Sequence, residues 1–195
     1  MQTPAATLLL VLTTLTGLCA AADYPDRAQR TQSAGNHTWY IDPDQGNDGN
    51  PGTSPSTAWK SMSPANRLIM SRGDTLVIQP GEHAASLALM GEGSRQAPVT
   101  IRFMPGRHVF KHGALVTGKP QISNTNDAPN EAKAMAIRLV EAKNVRLEGK
   151  PGATDILLEG KAIFVCMEHA ENVSLNGLGF DYVHPVSYTH LRAHE

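Results

Sequence analysis

A 28-residue internal repeat constrains this 195-residue chain more than any other feature of its sequence. The stretch 134–149 aligns with the stretch 162–177. The identical positions are Ala134/Ala162, Ala142/Ala170, Asn144/Asn172, Val145/Val173, Leu147/Leu175 and Gly149/Gly177. Each copy consists of a strand pattern, a polar corner containing Asn, a second alternating strand and a glycine turn. Asp155–Gly160 adds a third strand between the copies. Three short strands per turn without helices predict an all-β fold, a parallel β-helix.

The repeat also predicts which side chains stack on one another. Neighbouring coils of such a fold lie about 4.8 Å apart, so Val145 would lie against Val173 in an inward apolar column. Asn144 and Asn172 would form an amide ladder at a corner, which is a structural role and not a catalytic one. Because one coil cannot bury its own apolar face, we expect a terminal coil without a neighbour to promote aggregation.

The segments upstream of the repeat predict a leader, a cap and short strands. The polar segment Asp23–Asn36 is interpreted as a flexible leader, and Trp39–Ile41 as a short strand. Pro64–Met70 predicts a short helix, with Ser63 as its N-cap. After Gly73, turn residues separate further short strands, and the clearest of them are Asp74–Ile78, Leu87–Leu89 and Val99–Phe103.

The two ends of the chain have a different character. An apolar stretch from Leu8 to Leu18, followed by Cys19–Ala22, predicts a signal peptide and a secreted or periplasmic protein. The stretch is shorter than the roughly 20 apolar residues of a membrane span. A lipoprotein with Cys19 as its anchor ranks below plain secretion, because Leu18 is bulky. Removal of the signal would leave Cys166 as one thiol, interpreted as a buried hydrophobe.

The C-terminal string Val186–Glu195 resembles the in-frame translation of a transposase sequencing adapter, and it is excluded from the fold. The predicted organisation follows from these observations. It is a signal peptide over 1–22, a leader and N-terminal cap with a short helix over 23–72, the first coils of a truncated β-helix over 73–185, and an adapter-derived tail over 186–195.

Two groups of motifs resemble known proteins. Tyr40–Pro43, Gly46–Thr53 and Gly73–Gly81 resemble the entry motif and first coil of secreted bacterial right-handed, pectate-lyase-like β-helix proteins. The middle of the chain looks like glycoside hydrolase family 110, through Phe103–Phe110, Ile122–Asp127, Asn172–Gly177 and Gly179–Tyr182. That resemblance implies an exo-acting α-1,3-galactosidase that inverts configuration with paired carboxylates. The pair is expected beyond Pro185, so we expect this chain alone to be inactive.

An inverting glycosidase needs a carboxylic acid and a carboxylate about 6.5–9.5 Å apart. Asn126 and Asp127 lie in a polar loop that would shape one side of a sugar groove, although turn chemistry alone favours a plain turn. Asp181 follows Phe180 on a predicted strand and would point outward into a cleft; the alternative is a solvated strand end. We therefore predict Asn126, Asp127 and Asp181 as substrate-binding residues. Glu168 is a further carboxylate, but adjacent strand residues face opposite sides, so it is not expected to cooperate with His169.

Charge and spacing exclude several other functions. A formal net charge of −1 does not fit a basic nucleic-acid-binding surface. The acidic run that starts at Asp42 has Thr53 at the twelfth position, where a calcium loop needs Glu, so a turn-rich cap is predicted instead. No metal and no cofactor are expected. The expected partner is an oligosaccharide or polysaccharide, and no integral membrane segment is expected in the mature chain.

The leading functional hypothesis is therefore a secreted glycosidase that removes terminal α-1,3-linked galactose. One alternative is a β-helix polysaccharide lyase, which would need basic residues to neutralise a uronate; no Lys/Arg cluster is evident on the repeat faces. The other alternative is a non-catalytic carbohydrate-binding or surface β-helix, because a fold alone does not assign chemistry.

Overall fold

A computed structural model describes residues 24–119 and 132–184 of the chain. The predicted signal peptide, the candidates Asn126 and Asp127, and the tail Val186–Glu195 lie outside the described residues. Within these ranges the protein is all-β, and its helices are single 3-10 turns. None of these described turns is long and apolar enough to cross a membrane.

The strands carry the labels β1 to β14 in chain order. They are β1 (Thr31–Gln32), β2 (Thr38–Ile41), β3 (Leu68–Ser71), β4 (Thr75–Ile78), β5 (Gly81–His83), β6 (Leu87–Glu92), β7 (Val99–Phe103), β8 (Gly106–Lys111), β9 (Val116–Gly118), β10 (Lys133–Glu148), β11 (Thr154–Glu159), β12 (Ala162–Glu168), β13 (Glu171–Asn176) and β14 (Gly179–Tyr182). The 3-10 turns are Arg27–Gln29, Pro55–Thr57, Ala65–Arg67 and His112–Ala114.

The strands form two sheets with predominantly parallel pairing. The larger sheet has the order β1-β3-β6-β10-β7-β4-β2, and β9, β12 and β13 also pair with β10. The smaller sheet has the order β14-β11-β8-β5. β9 pairs antiparallel with β10, whereas the other described strand pairs are parallel. The first half of β10 lies between β6 and β12 and its second half between β7 and β13, so β10 curls around a corner.

The strand register confirms the 28-residue repeat. Ala134 pairs with Ala162, and Val145 pairs with Val173, each 28 residues further along the chain. The inward column that contains Leu147 continues through both neighbouring strands and beyond. Its members, in register from strand to strand, are Trp39, Leu76, Ile101, Leu147 and Leu175.

Burial along this column depends on whether a neighbouring strand covers each residue. Leu76, Ile101 and Leu147 have 0% of their surface exposed, whereas Leu175 in the last repeat is 38% exposed. Within residues 24–119 and 132–184, the exposed large hydrophobic side chains all belong to β12, β13 and β14, and they are Met167, Leu175, Phe180 and Tyr182. Each described strand therefore depends on the strand stacked below it to exclude water from its inward face.

The predicted amide ladder is confirmed at the corner of the larger sheet. The Asn172 side-chain amide donates to Asn144 Oδ1 at 2.6 Å, and the Asn144 amide donates to the Gly93 carbonyl oxygen at 3.0 Å. Both residues adopt left-handed backbone angles, with φ of 51° at Asn144 and 54° at Asn172. Asn tolerates this conformation better than other non-glycine residues, which explains why the repeat keeps it at this corner.

Two upstream predictions need correction. The predicted helix over Pro64–Met70 is only a 3-10 turn at Ala65–Arg67, and Leu68–Ser71 is strand β3 instead. The reason is tertiary: Ile69 and Met70 are buried where β3 pairs with β6, and this pairing overrides local helix propensity.

The segment interpreted as a flexible leader is fixed against the larger sheet. β1 pairs in parallel with β3, and Arg30 is only 9% exposed. The Arg30 guanidinium donates to the Pro25 carbonyl at 2.9 Å and to the Ala88 carbonyl at 2.7 Å. The polar composition of this segment predicted a flexible leader, so the buried Arg30 was missed. The aliphatic part of an Arg side chain can be buried when acceptors are available for its N–H groups.

The acidic run after β2 forms a turn-rich cap, as predicted. Asp48 Oδ1 accepts hydrogen bonds from the backbone N–H groups of Lys60 and Ser61. The Trp59 indole stacks on Trp39 with 6.5 Å between ring centroids, and its N–H donates to the Asn50 carbonyl. These contacts close the β2 end of the apolar interior.

A buried histidine pair crosses the interior of the smaller sheet. His83 Nε2 lies 3.1 Å from His108 Nδ1, and His108 Nε2 lies 2.8 Å from the Met104 carbonyl oxygen. The carbonyl can only accept, so His108 donates through Nε2 and His83 donates to His108 Nδ1. Burial lowers the pKa of both histidines, that of His83 to about 3. Both rings are therefore neutral in the folded protein.

We predict that acid destabilises the fold through this pair. The folded-state pKa of His83 lies below its unfolded value of 6.5, so its contribution is complete above that value and is lost as the pH falls toward 3. His83 alone should remove about 2 kcal/mol from the free energy of unfolding between about pH 7.5 and about pH 5. Urea denaturation at both pH values measures this loss.

His83→Gln should be less stable at neutral pH and should lose about 2 kcal/mol less on acidification. His112→Gln, at an exposed histidine, is the matched control and should keep the wild-type pH dependence. An identical pH dependence in His83→Gln and in the wild type would show that the buried pair does not set the acid response.

Candidate functional site

Alternation along β14 separates inward aromatic side chains from an outward carboxylate. Phe180 pairs with Ile156 and Tyr182 pairs with Leu158, so both aromatic residues continue inward columns. Asp181 lies between them and points to the outer face, where it is exposed. Among the described residues, the one hydrogen bond to its Oδ1 comes from the N–H of Tyr182, at 2.8 Å. Of the predicted substrate-binding residues, Asp181 is the one that the structure describes.

The carboxylate of Glu168 is held by an arginine from the preceding repeat. Arg138 Nε and Nη2 donate to the two carboxylate oxygens of Glu168 at 2.7 and 2.6 Å. This bidentate pair holds the pKa of the Glu168 carboxyl below its ordinary value. Glu168 is therefore ionised at neutral pH and cannot serve as the proton donor of a glycosidase. It pairs with Arg138 and not with the adjacent His169.

Cys166 lies beside this ion pair and is buried, as predicted. Its Sγ is 3.7 Å from Glu168 Oε1, and burial raises the pKa of the thiol. A thiol that stays protonated is a poor nucleophile, so Cys166 acts as a small apolar side chain here. The N-terminal segment approaches the pair, since the Arg138 guanidinium lies 6.0 Å from the centre of the Tyr24 ring.

Basic side chains do gather on the outer face of the larger sheet, contrary to the sequence-based expectation. Arg102 Nε lies 2.7 Å from Glu148 Oε1, and Arg146 Nη1 lies 3.8 Å from Glu148 Oε2. The cluster was missed because Arg102 and Arg146 are distant in sequence and meet only through strand pairing. Glu148 compensates part of their charge, so the cluster is a mixed ionic network and not a bare cationic patch.

The described carboxylates thus divide into paired and open groups. Glu168 and Glu148 are held by arginines, whereas Asp181 faces solvent. No group of three or more metal-ligating side chains occurs within residues 24–119 and 132–184. The polar side chains on the outer faces of the two sheets can form hydrogen bonds with sugar hydroxyl groups. Glu148 and Glu168 are ion-paired with arginines, so they are not available as a general acid and base.

Comparison with solved structures places this architecture among known folds. The chain is similar to the GH136 lacto-N-biosidase from Eubacterium ramulus, with a TM-score of 0.52 over 74% of this chain and 34% of that enzyme, at 15% sequence identity. The native form of the same enzyme gives a TM-score of 0.50. At this level of identity the likeness concerns the fold alone. No protein-family model matches the chain.

A curated relative is far more similar in sequence. The chain is 85% identical over 185 residues to Alpha-1,3-galactosidase A of Akkermansia muciniphila. The alignment covers 95% of this chain and 31% of the relative, so the chain spans about a third of that protein's length.

We predict that the Arg138–Glu168 pair stabilises the stacking of the two repeats. Arg138→Met should lower the free energy of unfolding by about 1 kcal/mol at neutral pH, because it removes a bidentate pair that is only partly exposed. The contribution exists above the ordinary pKa of Glu168, 4.5, and is lost as the pH falls through the lowered folded-state pKa. Urea denaturation at neutral and acidic pH measures both effects.

Arg146→Met is the matched control, because its closest carboxylate oxygen lies at 3.8 Å and its side chain is 47% exposed. Its cost should stay within about 0.5 kcal/mol. Equal losses in the two variants would contradict a specific role for the Arg138–Glu168 pair.

Proposed function

We propose that this chain forms part of an exo-acting glycosidase that hydrolyses terminal α-1,3-linked galactose with inversion, as in glycoside hydrolase family 110. The observation that carries the proposal is the 85% identity over 185 residues to Alpha-1,3-galactosidase A. The motif around Gly179–Tyr182, which carries the family resemblance, lies in the described part of the chain and contains the open carboxylate Asp181.

We further propose that the fold is a right-handed parallel β-helix. Parallel pairing at an offset of 28 residues, between β10 and both β12 and β13, supports this proposal. The column from Trp39 to Leu175 supports it as well, because the same side-chain position recurs on successive strands. In such a fold the inward side chains supply stability, and outward side chains on neighbouring coils supply the site.

Asn126, Asp127 and Asp181 are proposed to contact the substrate. Asp181 fits this role because its carboxylate has an outward direction and no cationic partner in the described part. A carboxylate of this kind can accept hydrogen bonds from two sugar hydroxyls. The general acid and base are assigned to residues other than Glu168 and Glu148, since both of these are ion-paired.

We propose that the protein is secreted or periplasmic, with a signal peptide from Met1 to about Ala22. An apolar core followed by small residues supports this assignment. A polymeric or oligosaccharide substrate outside the cytoplasm is consistent with it. N-terminal sequencing of the exported protein would reveal the cleavage site.

A chimaeric enzyme tests the proposed activity. This chain's aligned residues would replace the corresponding 185 residues of Alpha-1,3-galactosidase A. We expect the chimaera to release galactose from an α-1,3-linked galactobiose and not from an α-1,4-linked one, with β-galactose as the first product by NMR. Asp181→Asn in the chimaera should raise KM about tenfold with a smaller change in kcat, because it weakens substrate binding.

Asp44→Asn is the matched control, because Asp44 is an exposed aspartate in the turn-rich cap and not on the strands next to β14, and it should leave KM unchanged. A folded chimaera that releases no galactose, while the parent enzyme does, would contradict the proposed function. Formation of an unsaturated uronate from a polygalacturonate would instead support the lyase. A KM in the Asp181→Asn chimaera equal to that of the unsubstituted chimaera would remove Asp181 from the binding site.

A further inference from the structure

A polar groove lies at the corner of the larger sheet, away from Asp181. This corner groove has a volume of about 380 Å³. The loop Ser94–Gln96 forms one wall, the Lys143 and Glu171 side chains form the other, and Asn144 and Asn172 line the floor. The groove combines a concave shape with several polar side chains.

The groove is rigidly constructed. Ser94 and Ala97 close a turn through hydrogen bonds of 3.0 and 3.1 Å, and the Gly93 N–H donates to the Lys143 carbonyl at 2.9 Å. A Cβ at Gly93 would lie 2.7 Å from the Asn144 carbonyl oxygen, so only glycine lets this loop approach the corner so closely. The amide ladder fixes the floor. A ligand would therefore meet a preformed surface, which lowers the entropic cost of binding.

Several polar groups in the groove have no partner within the described part. Asn172 Oδ1 receives no hydrogen bond there, although the Asn172 amide nitrogen donates to Asn144. The Arg95 and Gln96 side chains are exposed and make no described hydrogen bond or ion pair. The groove therefore offers both donors and acceptors: the Arg95 guanidinium, the Gln96 amide and Asn172 Oδ1. The Glu171 carboxylate is a further acceptor and is paired with Lys143 on one side.

The charges favour a neutral ligand over an anion. Lys143 pairs in register with Glu92 on one side and Glu171 on the other, and its Nζ lies 3.4 Å from Glu171 Oε2. The lining itself carries two cations, Arg95 and Lys143, and one carboxylate, Glu171. Glu92 lies next to the lining, in register with Lys143, and its carboxylate balances the second cation. No aromatic ring lines it, which excludes stacking as the main contact. Vicinal hydroxyl groups, each both donor and acceptor, match such a mixture of planar amides and charged groups.

From these observations we infer that the corner groove is an accessory binding site for a neutral sugar residue of a glycan. The inference rests on the proposed function for its ligand class, carbohydrate, but not on catalysis. Arg95 and Glu171 hold hydroxyl groups from opposite walls, and Asn172 Oδ1 accepts a hydroxyl hydrogen bond at the floor. The site would hold a remote part of a glycan while its terminal galactose is processed elsewhere.

An NMR titration of the purified chain with α-1,3-linked galactobiose tests this site. We expect chemical-shift changes at Gly93–Gln96, Lys143–Asn144 and Glu171–Asn172 that follow a binding curve of their own, separate from any changes around Asp181, with millimolar affinity typical of a single shallow site, about 1–10 mM. The variant with Arg95→Ala and Gln96→Ala should bind about tenfold more weakly, because it removes one wall's hydrogen bonds. Arg107→Ala, at an exposed arginine of β8, should bind like the wild type.

Each other outcome overturns the inference in a recognisable way. Absence of shifts in the groove, or unchanged affinity in the double variant, would rule out the site. Shifts caused by sulfate but not by galactobiose would identify an anion site instead. Because the titration requires no turnover, an inactive chimaera combined with groove binding would reject only the proposed galactosidase activity. An active chimaera, together with no chemical-shift changes in the groove, would reject only the accessory site.

Discussion

Burial of one strand's inward side chains by the next strand is the interaction on which this structure depends. No repeat can hide its own apolar face, so Leu147 is fully buried only because Ile101 and Leu175 lie against it in register. The same stacking aligns the corners, where Asn144 and Asn172 share a hydrogen bond. It also brings Arg138 to Glu168. Apolar columns inside, an amide ladder at the corner and ion pairs outside are three consequences of one register.

This division explains where chemistry is possible. Inward positions are committed to packing, and even the inward histidines His83 and His108 are neutral and paired with each other. Outward positions carry the ionisable groups, but Glu148 and Glu168 are already engaged by arginines. Among the candidate residues in the described part, Asp181 on the smaller sheet remains open, and so does the polar groove at the corner of the larger one. Carbohydrate recognition suits such surfaces, because hydroxyl groups need directed hydrogen bonds and not a deep apolar pocket.

Local patterns in the sequence predicted the features that depend on neighbouring residues or on the repeat. Val99–Phe103 was predicted with the same bounds as β7, and the offset of 28 residues fixed the pairing of Val145 with Val173. Alternation along Gly179–Tyr182 predicted an exposed Asp181 on a strand, and Asp181 is exposed on β14, while its contact with substrate stays a prediction. Features that depend on distant partners were missed. Leu68–Ser71 is a strand because β6 pairs with it, and Arg30 is buried because the Ala88 carbonyl, 58 residues away, accepts its hydrogen bond.

Two of the side-chain pairs could nevertheless have been predicted from the sequence. Arg138 and Glu168 have opposite charges and lie two residues off the 28-residue register, so an aligned comparison of the two repeats identifies them as diagonal neighbours. His108 lies between Gly106 and Phe110 at an inward position of β8, which would have predicted its burial beside His83. The corner groove had no comparable signal, since its walls come from a loop and a corner that only the three-dimensional register brings together.

Cross-linking across the two repeats tests the register most directly. With Cys19→Ser and Cys166→Ala as background, Arg146→Cys and Ser174→Cys occupy directly paired outward positions. Their Cα atoms lie about 4.8 Å apart, within the range of a disulfide. Arg146→Cys with Asn176→Cys is displaced by two residues, a separation of about 7–8 Å. The stacked register predicts rapid disulfide formation in the first pair and little in the second. Equal cross-linking of both pairs, or faster cross-linking of the displaced pair, would contradict it.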